Sequence, residues 1–255
     1  MASSGLLSIS LGLWLLTCFV AAETEPYVPA LYVFGDSQAD AGKNNYIPNC
    51  TTRADHIPYG ASYFPSPTGR FTDGLTALDF LANCLGLKFC PPYLQPDANF
   101  TTGINFVSGG SGLLDTTGKL YNHGARKFIV LNIPPMGCTP VARLLVNIIE
   151  KGSCSWLVNW VVEEYNTAFR SYLTQLTQKI DKGTIIHLNV YDYIMNVINN
   201  GEPNGLKNTT AACCSRLGEF GIQRSCGNID ALNVYCSDPS TYVFWDGVHG
   251  TQKDI

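Results

Sequence analysis

The chain carries little charge: Asp, Glu, Lys and Arg make up 14% of its 255 residues, and the cations stand singly rather than in clusters. With a formal net charge of -4 it lacks the basic footprint of a nucleic-acid partner and any polybasic patch for an anionic membrane surface. No C-x-x-C pair occurs, so the usual zinc spacing is missing, and no metal or cofactor is expected. No G-K-[ST] follows the glycine-rich stretch, which excludes a P-loop, and the glycine spacing also fails the dinucleotide fingerprint. Internal repeats and low-complexity linkers are absent too. Hydrophobic residues are not scarce: at 45% they suffice for a sizeable core.

The N-terminus is expected to be a signal peptide. Leu6 to Ala22 is nearly uninterrupted apolar sequence, and Val20-Ala21-Ala22 before Glu23 is the small-residue pattern a signal peptidase needs, which places cleavage near Ala22. No Lys or Arg precedes the run, and its length leaves an uncleaved membrane anchor as the alternative. Residues 23–255 are then expected to form one domain, secreted to the extracellular space, with no stable membrane insertion after cleavage. Cysteine usage agrees. Cys18 leaves with the signal, and Cys50, Cys84, Cys90, Cys138, Cys154, Cys213, Cys214, Cys226 and Cys236 read as disulfide material with at least one thiol left over. Sequons at Asn49, Asn99 and Asn208 are candidate glycosylation sites.

Alternation of strand-like and helix-like segments predicts a parallel sheet in an α/β domain. Strands are expected at 30–34, 104–107, 127–133 and 185–190, and helices at 75–85 and 154–180. The long helix is expected to bury Trp156, Trp160, Tyr165, Phe169, Leu173 and Leu176. Residues 199–240 read as loop.

Gly35-Asp36-Ser37 follows the first strand, at the carboxyl edge where open α/β sheets hold their reactive groups. An ordinary turn is the plain reading of such a tripeptide. Asp246-Gly247-Val248-His249 supplies what a serine nucleophile needs, an imidazole to take its proton and a carboxylate to fix the tautomer. A helical turn would put both side chains on one face. His56 and His123 have no carboxylate at a suitable spacing beyond Asp55, and His187, inside an apolar strand, reads as a satisfied core residue. The stretch Asn105-Phe106-Val107-Ser108-Gly109-Gly110-Ser111-Gly112 offers a glycine backbone N–H for an oxyanion, with the N–H of Ser37 as a second donor, a structural turn being the rival reading.

These residues carry a resemblance. The stretches YVFGDSQADAGKNNYI, PYGASYFPSPTGRFTDGLTALDFLANCLGL, GINFVSGGSGLLDTTG, LYNHGARKFIVLNIPPMGCTP and YVFWDGVHGTQK resemble the plant GDSL esterase/lipase family of the SGNH hydrolases. The resemblance implies a flavodoxin-like three-layer α/β/α sandwich with a parallel sheet. It also implies hydrolysis of lipid or other acyl esters without metal or cofactor. By motif, Ser37 is the nucleophile and an oxyanion donor, Gly109 a second donor, Asp246 the orienting carboxylate and His249 the base.

Two departures accompany it. The family's G-x-N-D block, whose asparagine completes the oxyanion hole, is missing, since no Asn-Asp dipeptide occurs in the chain. About eighty residues that the family carries between DTTG and LYNHGARK are also missing. The chain is therefore expected to be internally deleted at a junction near 118–120, shortened after His249, and without a central strand and the last helix. Gly250 stands where relatives carry proline.

Overall fold

A computed structural model describes residues 25–111, 125–201, 205–215, 218–223, 226–227 and 235–253. The expected signal segment, His123 and the junction at 118–120 lie outside the described residues. The fold is α/β, and among the described residues the strands pair two by two, in parallel. The chain forms two compact units, residues 1–111 and 112–255.

In the first unit, β1 (Leu31–Val33) pairs with β2 (Gly103–Asn105), Leu31 lying opposite Gly103 and Val33 opposite Asn105. Position 103 must be glycine: a Cβ there would sit 2.1 Å from the Leu31 carbonyl oxygen. Val33, Ala39, Cys90 and Val107 form the small core beneath this pair, with Leu31 and Leu78 packed on it. Helix α1 (Ala77–Cys84) starts at a capping box in which Thr76 and Asp79 satisfy each other's backbone N–H groups. Asp79 also binds Arg70 through both oxygens, at 2.7 and 2.8 Å, in a pair that is almost wholly buried. The Arg70 guanidinium lies over the rings of Phe64 and Phe89.

In the second unit, β3 (Lys127–Leu131) pairs with β4 (Thr184–Leu188). The register places Ile129 beside Ile186 and Leu131 beside Leu188, and all four side chains are exposed. Helices α2 (Pro140–Glu150), α3 (Trp156–Lys179) and α4 (Val190–Asn199) surround a core of Cys138, Val197, Ile198, Leu206, Val243 and Phe244. A bulged pair, β5 (Asn208–Ala212) with β6 (Tyr242–Phe244), lies in and beside the stretch expected to be loop.

The expectation for α3 was wrong in one respect. Trp156 and Trp160 are exposed, and the buried face carries Asn159, Val162, Asn166 and Leu173. The two asparagines are there for a reason. Asn159 accepts the Gly137 N–H, and Asn166 both accepts from and donates to the Ile133 backbone. A buried loop between β3 and α2 needs partners for its peptide groups, and polar side chains outbid aromatic ones for that face.

Disulfides join Cys138 to Cys154, Cys213 to Cys236 and Cys214 to Cys226. Cys50, Cys84 and Cys90 stand outside them. Arg143, buried inside the first loop so closed, donates to the Cys138 and Gly152 carbonyls and to Cys154 Sγ. No helix among the described residues is long and apolar enough to cross a membrane.

Candidate active site

In the first unit Asp36 caps a single 3-10 turn, Ser37–Ala39, accepting the Gln38 N–H at 3.0 Å. Ser37 thus begins a tight turn directly after β1, half-buried. Three buried polar residues, of which the sequence reading gave no role to Asp40 and Asn44, stitch this turn to the 105–109 loop. Asp40 accepts the N–H groups of Gly42 and Lys43 with one oxygen and that of Gly109 with the other. Asn44 donates to the Gly109 carbonyl and accepts from the Ser108 hydroxyl. Asn105 donates to the Ala39 carbonyl. The signal for Asp40 and Asn44 was a string of Asx residues just past a candidate nucleophile, in a chain too short of charge to bury them idly.

The Gly109 N–H, expected as an oxyanion donor, donates to the buried Asp40 carboxylate at 2.7 Å. A Cβ at 109 would meet the Phe71 ring at 2.9 Å, so the packing of this loop requires glycine there.

In the second unit β6 delivers Trp245, fully buried, and then the Asp246–His249 turn. His249 Nδ1 donates to Asp246 Oδ2 at 2.7 Å and lies 2.9 Å from Oδ1. The two side chains are only 13% and 11% exposed. Their meeting does not come from a helical turn, as the spacing suggested. The Asp246 carboxylate accepts the backbone N–H groups of Val248 and His249, and the Trp245 N–H closes the loop on the His249 carbonyl. Burial alone would raise the Asp246 carboxyl, but the His249 ring and those two N–H groups outweigh it and hold the carboxyl below its ordinary value. The bond from Nδ1 to Asp246 sets the tautomer and the orientation of the ring.

The turn is braced from outside. The Val141 N–H, in the first turn of α2, donates to the Gly247 carbonyl at 3.0 Å, and a Cβ on Gly247 would press to 2.7 Å from Val141 Cγ2.

The other histidines are elsewhere. His56 is exposed beside Tyr59. His187 is not the satisfied core residue expected: it packs edge-on to Phe169, and its buried Nε2 finds no hydrogen-bond partner. No group of three or more His, Cys, Asp or Glu side chains suited to a metal occurs among the described residues.

The family model "GDSL-like Lipase/Acylhydrolase" matches residues 113–254, more than half of the chain and including Asp246 and His249. The chain belongs to this GDSL family. Its relatives extend the match. Two GDSL esterase/lipases of Arabidopsis thaliana are 27% and 30% identical over 316 and 319 residues, covering 88% and 87% of this chain and 80% and 85% of their own lengths. GDSL esterase/lipase 7 of the same plant is 27% identical over 317 residues, 89% of this chain and 85% of its own. The first alignment runs over 316 residues, while 88% of 255 is about 224, so roughly 90 positions of that GDSL relative have no counterpart here.

Proposed function

We propose that this GDSL chain is a secreted carboxylic ester hydrolase acting by serine acyl transfer, with residues 23–255 as one hydrolase domain. Ser37 Oγ attacks the ester carbonyl while His249 Nε2 takes its proton, and the Asp246 carboxylate steadies the imidazolium. Collapse of the tetrahedral species expels the alcohol, protonated by His249. Water, deprotonated by the same imidazole, then releases the acid. The Ser37 N–H is one donor to the oxyanion. The substrate class is lipid or other acyl esters, and the expected site is extracellular, in the plant apoplast or cell wall.

The observation that carries this reading is the Asp246–His249 pair, bound through both carboxylate oxygens. Three disulfides support an oxidising compartment, and the exposed sequon asparagines Asn49 and Asn99 fit passage through a glycosylating one. The test is labelling of the purified chain by a fluorophosphonate. Labelling that vanishes in Ser37→Ala supports the reading, and a folded, monodisperse chain that never labels refutes it.

One observation favours a second reading. Without an Asn-Asp dipeptide the chain lacks the family's side-chain oxyanion donor, a loss worth about 10²–10³ in turnover, or ~3–4 kcal/mol. Under that reading the molecule is a catalytically impaired glycoprotein of the same fold that binds its ligand without turning it over. Binding of an ester substrate with no release of acid identifies it.

A further inference from the structure

We propose that the Cys138–Cys154 disulfide is an exchange site for an external dithiol, which opens it ahead of Cys213–Cys236 and Cys214–Cys226, and that the buried Arg143 guanidinium holds the Cys154 thiolate so released. The proposal stands apart from the acyl-transfer reading. Three observations carry it.

The first is a buried cation without an anion. Arg143, 4% exposed, donates to the Cys138 and Gly152 carbonyls, which are neutral acceptors. No carboxylate lies within ion-pair distance of it among the described side chains. A charge taken out of water without a counter-ion is strongly unfavourable. Burial accordingly lowers the Arg143 guanidinium from its ordinary value.

The second is where the remaining donors go. Arg143 Nη2 donates to Cys154 Sγ at 3.2 Å, and Asn159 Nδ2 donates to Cys138 Sγ at 3.4 Å. Both sulfurs of one disulfide thus face a donor. A neutral sulfur is a weak acceptor and a thiolate a charged, strong one, so both contacts tighten when the bond opens. Stabilising the reduced form is what makes a disulfide easy to reduce. Cys213–Cys236 and Cys214–Cys226 have no such donor on their sulfurs among the described residues, and Cys213 and Cys236 are buried.

The third is access. Cys138 is wholly buried, whereas Cys154 is half-buried just before the Ser155 cap of α3, so a reagent meets Cys154 first. The dithiol's thiolate attacks Cys154 Sγ and forms a mixed disulfide; the Cys138–Cys154 bond breaks, and Cys138 leaves as a thiolate facing Asn159 Nδ2. The reagent's second thiolate then attacks the reagent's own sulfur in the mixed disulfide, and Cys154 leaves as a thiolate beside Arg143. Two electrons have passed to the protein and the dithiol ends as a cyclic disulfide. Of its two protons, one goes to Cys138 and the other to solvent. The Cys138 thiol then has Met195 Sδ as an acceptor at 3.6 Å.

The consequence reaches the Asp246–His249 turn. The disulfide closes the loop around α2, and in the first turn of that helix the Val141 N–H holds the Gly247 carbonyl.

The test applies graded dithiothreitol to the full, native chain and maps the alkylated cysteines by peptide. Cys138 and Cys154 should become alkylated at a reagent concentration at least about tenfold below that for the other two pairs. Another pair opening first, or all three together, overturns the proposal. Arg143→Met should raise the concentration needed for this pair by about tenfold, the worth of a charged hydrogen bond; an unchanged value removes Arg143 from it. A measurement on the unaltered, selectively reduced protein covers a variant that does not fold. The ratio of the iodoacetamide rate of Cys154 at pH 6 to that at pH 8 should be at least about tenfold larger in the native protein than in urea, because a neighbouring guanidinium favours the thiolate. Equal ratios overturn the thiolate–Arg143 pairing. Reduction should also speed amide exchange at Val141, and unchanged exchange there overturns the link to the turn.

Discussion

Asp246 binds His249 Nδ1 with both carboxylate oxygens, at 2.7 and 2.9 Å, while one of those oxygens also accepts the N–H groups of Val248 and His249. One carboxylate thus shapes the turn and orients the ring. Any change that disturbs the first task also disturbs the second.

The carboxyl of Asp246 is held below its ordinary value of 3.8. The unfolded chain therefore binds this proton more readily than the folded one, and stability rises with pH across the window between the two values. The contribution is full above about pH 4–5 and is lost as pH falls through the folded value. Urea unfolding measured from pH 6 downward should show a steeper acid loss in the unaltered chain than in Asp246→Asn. Parallel curves would dismiss the idea.

Gly247→Ala forces a methyl against Val141 Cγ2, which is part of the first turn of α2. Overpacking of this kind costs about 1–3 kcal/mol, which lowers Tm by several degrees in a chain of this size. Adding Val141→Ala should recover most of the loss. A double variant as unstable as the single one would place the strain elsewhere.

Arg70→Met leaves the Asp79 carboxylate buried without its bidentate partner. Breaking such a pair costs about 3–5 kcal/mol, more than a surface ion pair could. Chemical denaturation should show that loss, and limited proteolysis should open first within residues 1–111.

Cys90 is buried, and its thiol is pushed up to about 11, first by burial and then by the Asp79 charge, against a smaller opposing pull from Arg70. Iodoacetamide at pH 8 should therefore modify the half-buried Cys50 well before Cys90, because the thiolate is the reactive form. Peptide mapping before and after denaturation reads the order. Equal rates in the native protein would contradict it.

Asn49 and Asn99 are exposed, whereas Asn208 opens β5 half-buried, its side-chain oxygen accepting the N–H groups of Thr210 and Ala211. In a plant secretory host, glycans should map to Asn49 and Asn99 at higher occupancy than to Asn208. Full occupancy at Asn208 would mean that β5 forms after modification.

Much of this was legible in the residues. The strand at 30–34 is found at Leu31–Val33, and the helix at 75–85 at Ala77–Cys84, because apolar spacing, a Thr cap and Gly86 mark their limits locally. The pairing of Asp246 with His249 followed from spacing, although by a side-chain-capped turn rather than a helix. Helices α2 and α4 were not expected although Thr139-Pro140 and Asn189 are sound start signals, because each follows closely on an apolar strand whose pattern masks the change of period. The buried face of α3 and the tie between Asp40 and the Gly109 N–H were out of reach. Both depend on which peptide groups a distant loop leaves in want of a partner, a demand that no single stretch of sequence displays.

The row of Ile129, Leu131, Ile186 and Leu188 along one side of the β3–β4 ribbon has its own consequence. A nascent polypeptide presenting four aliphatic side chains to water on a strand pair is a natural client for chaperones. Under the proposed export, retention and triage of this ribbon decide how much of the chain leaves the cell.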